Sequence, residues 1–347
     1  MIATLRQRFE GGASVTTQRD IARTAGVSVA VVSAVINGTA HTRMSEATRA
    51  RVIQAMENLD YQPNQAARSL RLNRTGMIAL ILHKLDNPVY SHLLRGVYGA
   101  AAEHGGTVLL GDAEMMRSGS QFVTRLLSQG TVDGILIRDN SLFDDDVLAE
   151  LRSHPKPILS LDYARDHPWV GIDDCRAGEI ATRFLLNLHH RRIVFIGGAT
   201  GYAFRQRYLG YQQEMQRAGL EPAPHLATGF GEQAGSDGLR QALQLAAAPT
   251  AVVVNNIMSA VGVLAAARDL GISVPDQLSV VGIHDVGLME HLRPAVTAVR
   301  MPMYELGQAG VHALYELMAG RHCTSGIITD YEPELVVRDS ATALTDA

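Results

Sequence analysis

Seven short apolar runs punctuate most of this chain, at residues 77–82, 107–110, 134–137, 157–161, 193–196, 251–254 and 279–283. Longer amphipathic stretches lie between most of them, at 89–104, 120–129, 175–188, 205–218, 236–245 and 259–270. A continuous apolar run needs cover on both of its faces. Its alternation with helical patterns therefore predicts parallel sheets with helices on either side. Seven strands are too many for one small doubly wound sheet, so two lobes are expected. Such sheets bind ligands outside the carboxyl ends of their strands. One more helix is expected at 303–319, with Pro302 near its start and Gly320 past its end.

Before residue 75 the chain reads differently, as short helical segments. Residues 1–75 carry ten arginines against five acidic residues, a balance of +5, whereas the remainder carries −9. A small basic head on an acidic body suits a polyanionic partner for the head. The stretch VTTQRDIARTAGVSVAVVSAVING runs from Val15 to Gly38. Residues 20–24 read as a short helix, and Ala25, Gly26 and Val27 as a tight turn. Ser28 suits the N-cap of a second helix, because its hydroxyl can accept an orphan backbone N–H. On that helix Val32, Val35 and Ile36 share one face, which leaves Val29, Ala30, Ser33 and Ala34 outward. A third helix at 45–59 aligns Val52, Met56 and Leu59. Two short helices joined through a glycine turn form a helix-turn-helix, whose second helix enters the DNA major groove. The alternative is a plain helical bundle, and the basic charge argues against it.

The next stretch, YQPNQAARSLRLNRTG from Tyr61 to Gly76, holds a run too short for a helix that is stable alone in water. It either folds when a partner is present or serves as a plain linker. The 46% apolar composition excludes a disordered chain. No apolar run reaches the ~18 residues of a membrane span. The start, MIATLRQRFEGG, lacks the apolar core of a signal peptide, so export is not expected. Cys175 and Cys323 lie too far apart for a disulfide scaffold or a CxxC zinc site.

These residues together resemble a LacI/GalR-type transcriptional regulator over about residues 15–340. The resemblance rests on DIARTAGVS from Asp20, on Ser33, Asn37, Thr48 and Arg49, and on YQPNQAARSL from Tyr61. In the body it rests on DNPVY from Asp86, VDGILI from Val132, RRIVFIGG from Arg191, SVVGIHD from Ser279 and PELVVRDS from Pro333. It implies a small all-α helix-turn-helix DNA-binding head (15–61) after an N-terminal extension (1–14). A hinge helix (62–75) and an α/β two-lobed body (76–347) follow. The body would be like periplasmic binding proteins, with two parallel sheets. Its N-lobe would take about 76–173 and 302–334, and its C-lobe about 174–301 and 335–340. The implied partners are a pseudo-palindromic double-stranded DNA operator, a second copy of the chain in a homodimer, and a small effector between the lobes.

Carried over by position, Thr17, Ser28, Ser33 and Asn37 match phosphate-contacting residues, which orient the protein without reading sequence. Val29, Ala30 and Ala34 match the base-reading positions. The family usually has arginine at the position of Ala34, so the half-site is expected to differ at that base pair. Arg43 aligns with a contact position in a stretch about two residues longer than usual. Leu70 matches an intercalating leucine, an apolar wedge that kinks the duplex, and Arg71 follows it toward the minor groove.

The resemblance places Asp86, Tyr90, Arg138, Asp162, Arg207, Asn255 and His284 at the effector cleft, with Tyr90 suited to stacking and Arg207 to forking onto ligand oxygens. Arg138 and His284 depart from the sugar-binding pattern, which has an amide and an aspartate there. A cleft holding Arg138, Arg207 and His284 would be cationic. It would favour a sugar acid or sugar phosphate, with a neutral sugar or nucleoside as the alternative.

Weaker features carry little. FIGGATG, from Phe195 to Gly201, lacks the ending of a phosphate loop and reads as a cleft loop. Asp144, Asp145 and Asp146 read as a helix start, and His189 and His190 as cations at a helix end. No catalytic constellation, metal site or cofactor motif is present. The expectation is a cytoplasmic, effector-controlled regulator, most simply a repressor and not an enzyme. The alternatives are an activator, or a small-molecule-binding protein with little specific DNA readout. The tail RDSATALTDA has no leucine heptads, which favours a dimer over a tetramer.

Overall fold

A computed structural model of the chain describes residues 16–37, 44–61, 74–128, 130–138, 145–165, 167–198 and 200–344. The N-terminal extension, Arg43, Leu70 and Arg71, and residues 62–73 of the hinge segment lie outside these residues, as does the Asn37 side chain. The chain forms two compact units, divided between Thr75 and Gly76.

The first unit holds three helices, α1 (Gln18–Ala25), α2 (Val29–Asn37) and α3 (Glu46–Asn58). Thr17 and Asp20 cap α1 reciprocally. The Asp20 backbone N–H reaches the Thr17 hydroxyl at 3.4 Å, and the Thr17 N–H reaches the Asp20 carboxylate at 3.0 Å. Gly26 ends α1 in the left-handed conformation at φ 63°, which glycine adopts without a Cβ penalty. The turn is tight enough for α2 to start three residues later. Ile21, Ala25, Val32, Val35, Val52 and Ala55 then meet in one apolar cluster. The Thr16 hydroxyl ties the entry to α1 onto the Leu59 carbonyl beyond α3, at 3.1 Å.

The second unit begins with a sheet of β1 (Met77–Leu82), β2 (Thr107–Asp112), β3 (Gly134–Ile137) and β4 (Ile158–Ser160). Its order is β2-β1-β3-β4 and every pairing is parallel. Helices α4 (Tyr90–Glu103), α5 (Gln121–Leu127) and α6 (Asp145–Ser153) make the connections. Asp145 and Asp146 fall in the first turn of α6, where carboxylates suit the dipole. β5 (Val170–Gly171) and α7 (Asp174–Asn187) lead on to β6 (Ile193–Ile196), α8 (Tyr202–Arg217), α9 (Glu232–Ala242) and β7 (Ala251–Val254). Then come α10 (Ile257–Asp269), β8 (Ser279–Ile283), β9 (Thr297–Arg300), α11 (Met303–Met318), β10 (Gly326–Ile327) and β11 (Glu334–Val336).

The second sheet runs β11-β9-β8-β7-β6. It is parallel except at its edge, where β11 pairs antiparallel with β9. A small third sheet pairs β5 with β10. Neither feature follows from the apolar runs, because two- and three-residue strands are too short to show a pattern.

The period of two along the strands explains the burial. Ile78, Leu80 and Leu82 enter one core cluster, whereas Ala79 and Ile81 enter another on the opposite face. In the second sheet Ile193 and Phe195 join the first of these clusters, and Val194 and Ile196 form a third. Each fully buried leucine or isoleucine contributes roughly 1.5–3 kcal/mol relative to exposure. The chain passes between the lobes three times: from β5 to α7, from β9 to α11, and from β10 to β11. The last helix, α11, packs on α4 and the first sheet although it follows the second in sequence. Asp285 joins two of these passages, accepting from Arg300 at 2.7 Å and meeting Arg338 at 2.8 Å.

One reading of the helix ends is corrected. His190 is not a cation serving the end of α7. It is buried, with Nδ1 2.9 Å from the Thr250 hydroxyl and Nε2 3.0 Å from the Thr342 carbonyl. Burial holds its pKa below the usual imidazole value, against the opposing effect of the Thr342 hydrogen bond.

Candidate functional site

In the body, the strand ends and helix starts of both lobes bring a set of polar groups together. α7 and α8 cross closely because two glycines allow it. A Cβ at Gly178 would collide with the Arg207 carbonyl, and one at Gly210 with the Cys175 carbonyl. That approach sets Asp174, the first residue of α7, against Arg207 of α8. Arg207 Nε donates to Asp174 Oδ1 at 2.8 Å, and both side chains are buried. Arg207 Nη1 donates to the Asn255 carbonyl at the end of β7, at 2.8 Å.

Arg207 Nη2 stands 2.9 Å from His284 Nε2, just beyond β8. A guanidinium can only donate, so Nε2 accepts and the imidazole is neutral, with its proton on Nδ1. Burial, then the charges of Arg207 and Arg138, push the His284 pKa well below the usual value. His284 also has φ 72°, a left-handed conformation uncommon outside glycine. From the first lobe, Arg138 donates to the Leu161 carbonyl and lies 4.0 Å from the Asp162 carboxylate.

Asn255 is fully buried, and neither its amide nitrogen nor its amide oxygen has a hydrogen-bond partner among the described residues. Buried amides are rarely left so, because losing water without a replacement bond costs about 1–3 kcal/mol. A hydroxyl can donate to one of these atoms and accept from the other.

The structure thus gathers Arg138, Asp162, Arg207, Asn255 and His284. Of the other two expected residues, Asp86 is exposed on the loop after β1. Tyr90 begins α4 and is buried, and its neighbours Val89 and His92 line one cavity together with His284. The expected cationic character is corrected as well. Arg207 is matched by Asp174, Arg138 lies beside Asp162, and His284 is neutral.

Sequence reasoning missed Asp174. Its signal was the pair Asp173–Asp174. Asp173 accepts from the Arg176 N–H at 2.8 Å and suffices to cap α7, which frees Asp174 for another task. Beyond β6, the Gly229 carbonyl accepts from the Gly198 N–H at 2.7 Å. That bond also uses an amide that a phosphate loop would need, in keeping with the reading of residues 195–201 as a cleft loop. A cavity of about 390 Å³ meets the polar cluster only at His284 and otherwise follows the lobe passages, along Asp285, Arg300, Tyr304 and Glu332.

In the head, α2 exposes Val29 and Ala30 and half-buries Ser33. Ser28 accepts from the Val31 N–H at 3.4 Å, as an N-cap does. The Thr17 hydroxyl is engaged with Asp20 at 2.6 Å. Ala34 is buried rather than outward. α2 is apolar almost all round, VAVVSAVIN, so periodicity had little contrast with which to choose a face.

Comparison with known proteins adds the following. Residues 17–64 match the family described as bacterial regulatory proteins, lacI family, and residues 182–341 match the periplasmic binding protein-like domain. The HTH-type transcriptional repressor CytR of Escherichia coli (strain K12) is 31% identical over 336 residues, spanning 95% of this chain and 98% of that protein. The crystal structure of the lac repressor dimer bound to operator and the anti-inducer ONPF aligns with a TM-score of 0.79 and 26% identity, covering 94% of this chain and 99% of that one. The complex of the transcriptional regulator CelR with cellobiose aligns at 0.68 with 28% identity, over 94% and 100% of the two chains.

Proposed function

The chain belongs to the lacI family of bacterial regulatory proteins, and we propose that its head binds an operator while its cleft holds a small effector that sets operator affinity. It is a DNA-binding transcriptional regulator of the repressor type, not an enzyme. It acts as a homodimer in the cytoplasm, where the operator is. No helix of the described residues is long and apolar enough to cross a membrane.

The observation that carries the effector reading is the buried, unpartnered carboxamide of Asn255 beside the Arg207 clamp. Arg207, Asp174 and Asn255 together offer donors and an acceptor to neighbouring hydroxyls. Because the charges of the cleft are matched, a neutral sugar-class effector fits better than a sugar acid or sugar phosphate. The cellobiose complex of CelR is consistent with this class. Effector and operator would favour different lobe arrangements, and each would then alter affinity for the other by the same factor. Thr17, Ser28, Ser33 and Asn37 would position the head on phosphates, with Arg43 a further contact. Val29 and Ala30 would meet base edges, and Leu70 and Arg71 would enter the minor groove.

The test is a thermal-shift screen of the whole protein against D-ribose, cellobiose, cytidine, glucose 6-phosphate and gluconate, followed by operator release measured by fluorescence anisotropy. Ligand at about a hundred times its Kd adds roughly 2.7 kcal/mol to the folded state. Stabilisation by a neutral compound, lost in Arg207→Ala, is expected. Stabilisation by the phosphate or the acid alone would reverse the choice of class. The second reading, a binding protein with little DNA readout, draws on the apolar residues Val29 and Ala30 exposed on α2. Operator selection that enriches no motif would favour it.

A further inference from the structure

Tyr163 and Tyr202 sit on opposite lobes. Tyr163 follows Asp162 beyond β4, whereas Tyr202 is the first residue of α8. Their rings stack, with centroids 4.6 Å apart and planes within 18°. Trp169, the chain's single tryptophan, meets Tyr163 edge-on at 5.4 Å and 64°. Both tyrosines border the polar cluster. The Tyr163 N–H donates to the Asp162 carboxylate at 2.8 Å. Burial and the nearby charges of Asp162 and Asp174 push the Tyr202 hydroxyl pKa up. Tyr202 precedes Arg207 by five residues on one helix, about 7.5 Å along its axis at 1.5 Å per residue. The Tyr202 backbone therefore stands about 1.4 helical turns before that of Arg207, and each lobe supplies one ring of the stack.

We propose that Tyr163 and Tyr202 form an aromatic clasp that joins the two lobes at the edge of the cleft, so that the effector enters and leaves only when the rings part. What the clasp encloses rests on the effector reading above; the clasp itself does not. Offset-stacked rings at this spacing attract each other, yet they break cleanly because no covalent or charged link holds them. The three passages of chain between the lobes leave a hinge about which they can separate. Tyr163 meets Trp169 edge-on, so the indole's surroundings report whether Tyr163 is held in place.

The experiment is acrylamide quenching of Trp169 emission in the full-length protein with no ligand added. Tyr202 makes no ring contact with Trp169, so its removal reaches the indole through Tyr163. Tyr202→Ala is expected to raise the Stern–Volmer constant at least twofold and shift emission to the red. Tyr202→Phe, which keeps the ring, is expected to match the parent. Far-UV circular dichroism checks folding, and Tyr202→Leu replaces the alanine variant if that one does not fold. Quenching in Tyr202→Ala equal to the parent's overturns the clasp. So does a Tyr202→Phe protein as quenchable as Tyr202→Ala. A protein that binds none of the effector candidates would leave this result untouched.

Discussion

The Arg207 guanidinium fixes the protonation state of His284: Nη2 stands 2.9 Å from Nε2, and only a neutral imidazole can accept there. Two residues that add charge to the cleft when counted in sequence thus behave as one cation and one neutral acceptor. The same arginine is held by Asp174 and by the Asn255 carbonyl, so its fork is aimed before any ligand arrives.

Removing Arg207 leaves the Asp174 carboxylate buried without its partner. Arg207→Ala is expected to lose about 3–5 kcal/mol of stability. The double variant Asp174→Ala/Arg207→Ala is expected to lose less than the sum of the two single changes. Urea denaturation of the four proteins in a double-mutant cycle measures the difference.

Gly178 is predicted to be as important to the site as a side chain within it. Gly178→Ala forces α7 away from α8, costs about 1–3 kcal/mol, and separates Asp174 from Arg207. Its thermal midpoint should fall, and effector stabilisation should shrink more than it does for an alanine placed at an exposed position of α7, such as Asn187→Ala.

His284 occupies a left-handed conformation that asparagine tolerates and a β-branched residue does not. His284→Asn is expected to fold with a thermal midpoint near the parent's. His284→Val, strained and unable to accept from Arg207, is expected to lose roughly 1–3 kcal/mol more. Equal midpoints would contradict this account of the position.

Acid is predicted to loosen the body through His190 and His284, both held neutral by burial. Above about pH 6.5 these imidazoles are neutral in folded and unfolded chains alike, and their contribution is complete. As pH falls below that value the unfolded chain takes up protons first, so stability drops. The urea midpoint should decline from pH 7.5 to 5.5, and His190→Asn should decline less steeply.

Thr17 is predicted to matter to the head before any DNA is present. Thr17→Ala removes the reciprocal cap of α1, at a cost of about 1 kcal/mol. Hydrogen exchange of the backbone amides in α1 should quicken, while that of α7 and α8 stays as in the parent.

The sequence made much of this architecture legible, for a physical reason. Runs such as Ile193, Val194, Phe195 and Ile196 are buried on both faces, so composition marks them without any need for context. β11 escaped notice because three residues at a sheet edge carry no period. Within the site, Arg207 was placed by the family resemblance and not by its helix, where Arg205 and Arg217 look the same in sequence. Asp174 was hidden by its neighbour's capping role. Ala34 was read as outward and is buried, because direction on a uniformly apolar segment is decided by packing, not by residue type. The Tyr163–Tyr202 stack joins residues 39 positions apart on different lobes, a meeting that no local pattern encodes.

The three passages of chain between the lobes bear on how genes of this kind can be shuffled. Neither lobe is a contiguous stretch of coding sequence, because the second sheet takes its edge strand from residues 334–336, after a helix that belongs to the first. A chimaera that exchanges only residues 174–301 between two relatives would pair one parent's β9 with the other's β11. It would also set one parent's Arg338 against the other's Asp285. Exchange at two separated segments, the second including residues 334–344, keeps each lobe's strands and ion pairs from a single parent. Recombination therefore divides this body only by exchanging two segments at once, whereas the head, which ends before Gly76, can be exchanged with a single junction.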